Sequence, residues 1–472
     1  MRMDLTAHPW FFCGIGGSGM LPLALILKGK GARIAGSDRS RDQGRTPEKF
    51  AWLESLGFDL HPQDGSGITS AEQILVASAA VEDTVPEMVQ AAQLGCRKMR
   101  RAELLSTLFN AAPVSIAVGG TSGKSTVTGM LGWILTACGR DPTIMNGAVM
   151  KNFAGPDAPF ASARVGGAEA PFVSEVDESD GSIAAYRPTI AVLNNVSLDH
   201  KSMEELRGLF GDFLARAGTA VVNLDDPESA ALANRALGGT LTFGIDSRRA
   251  DIRTVEGSEA ESPLGIGATI ELGRTGERHG LALKVPGRHN LSNALAALAA
   301  AHAAGVPLAD AVQALGDYAG LARRFDVVGT SPGGVTVIDD FGHNPEKVAA
   351  TLATLKAHPG RVIAFFQPHG YGPLRQMGAE LAEVLATRLG AEDQTILCDP
   401  VYFGGTVDRS VGSERIVSLI RAHGGMAEHI PDRADCAARM VELARPGDRI
   451  VIMGARDDTL SAFAGDLLAR LA

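Results

Sequence analysis

The sequence lacks the marks of several protein classes, and each absence narrows the reading. No apolar run approaches the length of a membrane span, so a membrane-embedded protein is not expected. Five cysteines, Cys13, Cys96, Cys138, Cys398 and Cys436, form no CxxC and no metal-ligand spacing. An odd, scattered set fits reduced thiols in a cytoplasm. Positive charge is not in excess: the formal net charge is −10, which gives a nucleic-acid partner no electrostatic support. The first residues, Met1 to Pro9, run straight into a strand pattern and are read as no signal peptide. What is present is ordinary for a globular protein, with 45% hydrophobic and 21% charged residues. The 472 residues suffice for about three domains. Alanine-rich helical patterns alternate with short apolar strands, which indicates α/β architecture.

The most informative stretch begins with the apolar run Val114 to Val118, read as a buried strand. Gly119, Gly120, Thr121, Ser122, Gly123, Lys124, Ser125 and Thr126 follow, then a helical pattern through Met130, Leu131, Ile134 and Leu135. Strand, glycine-rich turn and helix make a phosphate-binding P-loop. The glycines let backbone N–H groups face phosphate oxygens, and the helix N-terminus adds a favourable field. Lys124 is expected on the β- and γ-phosphates and Ser125 on Mg²⁺. The general pattern places a glycine six residues before the lysine; Val118 stands there.

Upstream, Trp10 to Cys13 reads as a strand running into Gly14, Ile15, Gly16, Gly17, Ser18 and Gly19. A helix from Met20 to about Lys30 and a strand ending at Ser37-Asp38 follow. This is a G-x-G-x-x-G fingerprint in a βαβ setting with an acidic residue about twenty positions on. By itself it indicates a bound nucleotide or dinucleotide, and NAD is the default. Further strands are expected at Ile74 to Ala77 and Cys96 to Met99, with helices over Pro47 to Leu56, Pro86 to Leu94 and Arg101 to Asn110.

Downstream of the P-loop helix, residues 146–171 read as irregular. Phe172 to Ser174 is a strand leading into Glu175, Asp177, Glu178 and Asp180, an acid cluster suited to a hard cation or to a solvated turn. The strand Thr189 to Leu193 ends in Asn194, Asn195, Asp199 and His200. Phosphate loop, acid cluster and Asp-His thus follow one another at three successive strand ends, where open α/β sheets keep their chemistry. Residues 240–285 look β-rich. Arg288, His289, Asn290 and Asn293 then open an alanine-rich helix; they can meet a base or cap the helix. A third α/β unit carries Asp339, Asp340 and His343 after the strand Val335 to Ile338. His369 and Arg375 follow the strand Val362 to Phe366, and helices are expected over Pro345 to Lys356 and Met377 to Leu389. Its polar residues also lie at strand ends, so the site is expected between domains.

Taken in order, Gly-Thr-Ser-Gly-Lys-Ser, Glu-Val-Asp-Glu-Ser-Asp, Asp-His, Gly-Arg-His-Asn-Leu-Ser-Asn, Arg-Arg-Phe-Asp and Asp-Asp-Phe-Gly-His resemble the Mur ligases across nearly the whole chain. The resemblance implies three domains: 1–112 Rossmann-like and holding a UDP-sugar, 113–327 a P-loop ATPase-like, mostly parallel sheet, and 328–472 Rossmann-like and holding the amino acid. It implies ATP and Mg²⁺, an acyl-phosphate intermediate, and attack by the amine of an amino acid or short peptide on a UDP-N-acetylmuramate-like carboxylate. The glycine-rich loop Gly14–Gly19 with Asp38 then binds a UDP-sugar rather than NAD. The shortened P-loop matches the family's own form. Gly120, Thr121, Ser122, Gly123, Lys124, Ser125 and Thr126 would bind ATP, with Asn290 and Asn293 toward adenine and Arg324 and Asp340 securing the nucleotide. Lys124, Glu175, His200 and His343 are the implied catalytic residues. Ser125, Glu175 and His200 would be metal ligands, and His343, His369 and Arg375 would face the amino acid.

The chain departs from the family in places. No lysine occurs in the helical stretch Leu206 to Arg216, where some members carry a carbamylated one; this agrees with the alanine-adding branch. That branch typically has a second histidine where Asn344 stands and an arginine where Gly370 stands, and this chain has only Arg375 beyond. The stretch after Asp199-His200 is shorter than in the family. L-alanine is the first expectation for the amine, with another amino acid or a peptide, including cell-wall recycling, as the alternative. An NAD-dependent oxidoreductase and a non-catalytic nucleotide-binding regulator are the readings outside the class. The protein is expected in the cytoplasm, away from nucleic acid and membrane, as monomer or homodimer.

Overall fold

A computed structural model describes residues 3–198, 201–401, 408–455 and 457–471. The chain forms two compact units. One comprises the chain up to Glu261 together with Gly265–Gly320; the other comprises Ser262–Leu264 and the chain from Leu321 onward.

The first unit holds two sheets. In the smaller, the strand order is Asp59–His61, Ile34–Ser37, Trp10–Cys13, Ile74–Ala77, Arg97–Arg100, all parallel. Trp10, Phe11, Phe12 and Cys13 are all buried because both faces of this strand are covered, which explains its unbroken apolar run. Strand order reverses beside Trp10–Cys13, so a crevice opens at its C-terminal end, where Gly14–Gly19 lie. Asp59–His61 was not expected from the sequence; its short, half-exposed residues carry little periodicity.

The larger sheet has a parallel core. Its order is Thr143–Met145, Phe172–Glu175, Ser115–Gly119, Ile190–Leu193, Thr219–Asn223, Gly239–Gly244, Ile252–Thr254. The β-rich stretch adds antiparallel strands Gly265–Leu272 and Glu277–Leu283 at one end. Helices Lys124–Ala137 and Arg288–Ala303 pack on one face, where the buried alanines Ala294, Ala296, Ala297, Ala299, Ala300 and Ala301 allow close approach.

One apolar core runs from the first sheet into the second. Phe109, at the end of helix Arg101–Asn110, is fully buried and meets Phe172 and Tyr186 edge-on at 5.7 and 5.2 Å between centroids. Polar bonds reinforce the seam: Trp52 Nε1 donates to Asp157 O at 2.9 Å, and Asn110 Nδ2 to Ala185 O at 2.9 Å.

The second unit is built on a six-stranded sheet in the order Asp326–Thr330, Thr336–Asp340, Arg449–Gly454, Val362–Gln367, Gln394–Leu397, Ala427–His429. Only the first pair is antiparallel. Pro345 opens helix Pro345–Lys356 in its first turn, as expected, with Asn344 as its cap. The helix expected from Met377 starts six residues earlier, at Tyr371. Gly-Pro reads as a turn in isolation, but Pro373 sits in the first helical turn, where its missing N–H costs nothing. No helix among the described residues is long and apolar enough to cross a membrane.

Phe109→Ala should lower stability to urea by about 3–5 kcal/mol, the cost of an emptied aromatic site. Because the cavity lies at the seam, tryptophan fluorescence of Trp52 should report the loss together with backbone circular dichroism; a smaller loss with unchanged cooperativity would mean the two sheets do not share a core.

Candidate active site

Three adjacent strand ends of the larger sheet build the site. Ser115–Gly119 lies between Phe172–Glu175 and Ile190–Leu193, so the turn Gly120–Gly123 has Glu175 on one side and Asn194-Asn195 on the other. Gly120 (φ +135) and Gly123 (φ +79) adopt backbone conformations that L side chains rarely reach. Asn195 frames the turn: its Oδ1 accepts from Ser122 N at 2.8 Å and Thr121 Oγ1 at 3.0 Å, and its backbone O accepts from Thr121 N. Thr121 Oγ1 also lies 2.8 Å from Ser197 Oγ.

Lys124 begins the helix and folds back over the turn. Its Nζ donates to Gly120 O at 2.6 Å and to both carboxylate oxygens of Glu178, at 2.9 and 3.2 Å. Ser125 Oγ donates to Glu175 Oε2 at 2.7 Å. The other oxygen of Glu175 is packed against Gly147, where any Cβ would overlap it. Neighbouring Asn146 is fully buried and ties this loop to Ser125 O at 2.9 Å. Ser125 and Glu175 therefore present two hard oxygens close together, a donor set that suits Mg²⁺ with phosphate and water completing the shell. Among the described residues no group of three or more His, Cys, Asp and Glu side chains is arranged to hold an ion alone. The rest of the acid cluster is committed elsewhere: Glu178 to Lys124, Asp180 to Arg101 at 3.6 Å, and Asp177 to Ser179 N at 2.9 Å. Asp199 and His200 lie outside the described residues.

Asn290 and Asn293 lie behind the P-loop. Asn194 Nδ2 bridges Ser122 O (3.1 Å) and Asn293 Oδ1 (3.0 Å); Asn293 Nδ2 reaches Asn290 Oδ1 at 3.4 Å; Asn290 Nδ2 ends the ladder on Pro286 O at 2.7 Å. Both asparagines are buried, so in this structure they support the turn. Thr126 follows in the first turn of the helix.

At the glycine-rich loop, Asp38 Oδ2 accepts from Gly16 N and Oδ1 from Ser40 N, each at 2.8 Å. Its carboxylate braces the loop and caps a short helix instead of standing open to a ribose. A side chain on Gly16 would press on Asp38 and Phe50, and one on Gly19 on Arg101.

In the second unit, Asp340 is buried and accepts from Phe325 N, Gly342 N and Thr351 Oγ1, all at 2.8 Å. Arg324 stacks on Phe341, 4.4 Å from the ring centroid. Arg323 is the more buried of the pair and donates to Gly454 O and Asp457 O at 2.7 and 3.0 Å. Beside it, burial holds the Asp339 carboxyl up at about 6, although the guanidinium 3.5 Å away pulls the other way. His343 and His369 meet edge-to-face, 5.3 Å between centroids. They flank a shallow cleft walled by the apolar side chains of Phe366, Pro373, Leu374 and Met377. Burial, then Lys347, pushes His343 down to about 4, so its ring is neutral at pH 7. Its Nδ1 lies 2.9 Å from Phe341 O, which leaves Nε2 as the acceptor when Nδ1 carries the proton. Arg375 pairs with Asp408 at 2.9 Å, and Asn344 spends its side chain on Lys347 N.

Family models match in the same order as the sheets. The Mur ligase family catalytic domain matches residues 11–112, the Mur ligase middle domain 118–301, and the Mur ligase glutamate ligase domain 323–456. A UDP-N-acetylmuramate--L-alanine ligase of Pelotomaculum thermopropionicum is 35% identical over 96% of each chain. The enzyme of that name from Sorangium cellulosum is 36% identical over 98% of this chain and 96% of its own. The chain belongs to the Mur ligase family. In fold it is similar to the UDP-N-acetylmuramate-alanine ligase MurC of Thermotoga maritima, with a TM-score of 0.79 and 24% identity over 98% of both chains. As a Mur ligase it is an ATP-dependent amide ligase with the family's three-domain α/β architecture. The oxidoreductase and the non-catalytic regulator are thereby set aside, and the recognition drawn from the motif order holds.

Glu178, Asn194, Asn195, Asn146 and Gly147 contact the P-loop residues and Glu175. The sequence marked the acid cluster and the Asn pair but not their partners; nothing in it singled out Gly147.

Gly123→Ala should cut kcat/KM for ATP about 100-fold, because a Cβ there overlaps the Asn194 and Asn293 amides and displaces the turn. Unchanged kinetics in the folded variant would show that the turn tolerates the shift.

A second expectation concerns pH. The folded value of His343, about 4, lies below its ordinary 6.5. Between these values the unfolded chain binds a proton that the folded chain refuses, so stability is full above 6.5 and falls toward pH 4. Asp339 has the opposite sign, but its contribution is common to both proteins compared. His343→Gln should therefore lose less Tm than the unsubstituted enzyme between pH 6.5 and 4; parallel Tm profiles would remove the buried neutral histidine.

Proposed function

We propose that this Mur ligase joins L-alanine to the carboxylate of UDP-N-acetylmuramate, in the cytoplasm, with release of ADP and phosphate. The observation that carries the reading is the P-loop with Ser125 and Glu175 paired at 2.7 Å and Lys124 folded over the turn. The relatives named for this reaction, at 33–36% identity, support the choice of substrates. Five free cysteines accord with a reducing compartment.

Transfer from ATP brings a carboxylate against a polyphosphate, so catalysis rests on cations and positioning. Lys124 neutralises the phosphates from the turn. Ser125 and Glu175 would hold Mg²⁺, with His200 as the further ligand that the family pattern supplies. When bound, Mg²⁺ offsets phosphate charge and lets the carboxylate approach the γ-phosphate. Backbone N–H groups of Gly123–Thr126 donate to phosphate oxygens, Thr121 N and Ser122 N being held by Asn195, and Gly14–Gly19 receive the diphosphate of the UDP-sugar. Asn290 and Asn293 act on the nucleotide by supporting the turn, while Arg324 offers its charge from the face of Phe341. The acyl phosphate so formed is taken by the amine. His343, neutral, accepts a hydrogen bond from that amine at Nε2, and His369 walls the same cleft. The cleft's apolar lining favours a short apolar side chain such as a methyl group.

A peptide or another amino acid as nucleophile is the second reading. Gly370 offers no cation to a carboxylate, Asn344 is spent as a cap, and Arg375 is engaged by Asp408.

The deciding assay measures ADP release with ATP, Mg²⁺ and UDP-N-acetylmuramate, with amino acids pooled and then omitted singly. Turnover that requires only L-alanine is expected; turnover restored only by a peptide amine would favour the second reading. Lys124→Ala should lower kcat/KM about 100- to 1,000-fold, and unchanged activity in that variant would reject the P-loop as the ATP site.

A further inference from the structure

In a P-loop the lysine is the cation offered to nucleotide phosphates, yet here a carboxylate already holds it. Glu178 is 4% exposed and both its oxygens face Lys124 Nζ, at 2.9 and 3.2 Å. The segment that carries it is anchored at each end. Ser179 N caps Asp177 at 2.9 Å, Ser182 N caps Asp180 at 2.8 Å, and Ile183 N bonds Asp177 O. Asp180 also pairs with Arg101 at 3.6 Å, so the turn is fastened to the helix that opens beside Gly19. A turn held in this way keeps Glu178 in place by contacts of its own. A glutamate oxygen pair is an anionic acceptor of the same kind as a phosphate edge, and one ammonium cannot serve both at full strength.

We propose that Glu178 is a positioning residue that acts through Lys124, holding its ammonium and competing with the nucleotide phosphates for it. This rests on the assignment of the P-loop as the ATP site. Nucleotide affinity is then the intrinsic affinity of the turn reduced by the fraction of molecules in which Lys124 is taken. The carboxylate also keeps Lys124 aimed over Gly120. A residue that merely shaped the loop would weaken nucleotide binding when altered; an internal competitor strengthens it.

The test is equilibrium binding of ATP and ADP to the full chain, by calorimetry, in EDTA and again with Mg²⁺. Glu178→Gln should tighten both nucleotides about three- to tenfold, in EDTA as well, since the effect runs through Lys124 and not through a metal. Glu178→Asp, which keeps the charge on a shorter arm, should lie between Gln and the unsubstituted enzyme. Glu178→Ala should tighten binding as Gln does, and it replaces the glutamine variant if that one does not fold. Weaker or unchanged binding in the folded variants overturns the competition. Tightening seen only with Mg²⁺ overturns it too, because it would place Glu178 at the metal. No ATP binding by the unsubstituted enzyme would instead remove the P-loop assignment, and the inference with it.

Discussion

The turn between Gly119 and Lys124 must hold its shape without closing on itself, and the rest of the site follows from how that is done. Asn195 holds Thr121 and Ser122 from one side, while Asn194, Asn293 and Asn290 form an amide ladder beneath. Asn293 and Asn290 each donate and accept, and Asn194 donates to both Ser122 O and Asn293 Oδ1, so the buried row leaves the turn little slack. Glycine at 123 is demanded twice over, by its positive φ and by the amides where a Cβ would go. The glycine pattern and the asparagines are therefore one device seen at separate places in the chain.

Around that turn, charge is arranged in neighbouring pairs. Lys124 with Glu178 and Ser125 with Glu175 put a cation and a cation-seeking oxygen pair side by side at adjacent strand ends. Gly147 closes on Glu175 so tightly that the carboxylate has one place to be. The seam with the smaller sheet adds rigidity, since Phe109, Phe172 and Tyr186 share a core and Arg101 crosses to Asp180. In the second unit the same economy holds for Asp340 and Arg323. Asp340 accepts from Phe325 N and Gly342 N, and Arg323 donates to Gly454 O and Asp457 O, which shapes the loops after Gly320 and Gly454.

Much of the fold was legible because apolar runs and caps act locally. The strand Ile74–Ala77 and the helices Pro86–Leu94, Arg101–Asn110 and Pro345–Lys356 fall where periodicity, Pro and flanking polar residues put them. Asp59–His61 was not legible, since a three-residue edge strand draws its identity from its neighbour. The early start of helix Tyr371–Arg388 was hidden by Gly372-Pro373, whose local meaning reverses once the first helical turn is formed around it. The ordered motifs carried the family and marked Lys124, Ser125 and Glu175 as residues of one turn and its neighbouring strand end. They were silent on which member of the acid cluster faces the lysine and on the orientation of Asn293.

The sequence by itself determined the class of reaction. Phosphate-binding turns, a hard-oxygen donor and the order of motifs are properties of residue type and spacing, and they survive without coordinates. Tertiary structure alone decided the partners: Glu178 finds Lys124 across 54 positions, and Asn194 finds Asn293 across 99. Such pairings depend on which strands lie side by side. That order is chosen by burial of the whole sheet, and no local stretch of residues encodes it.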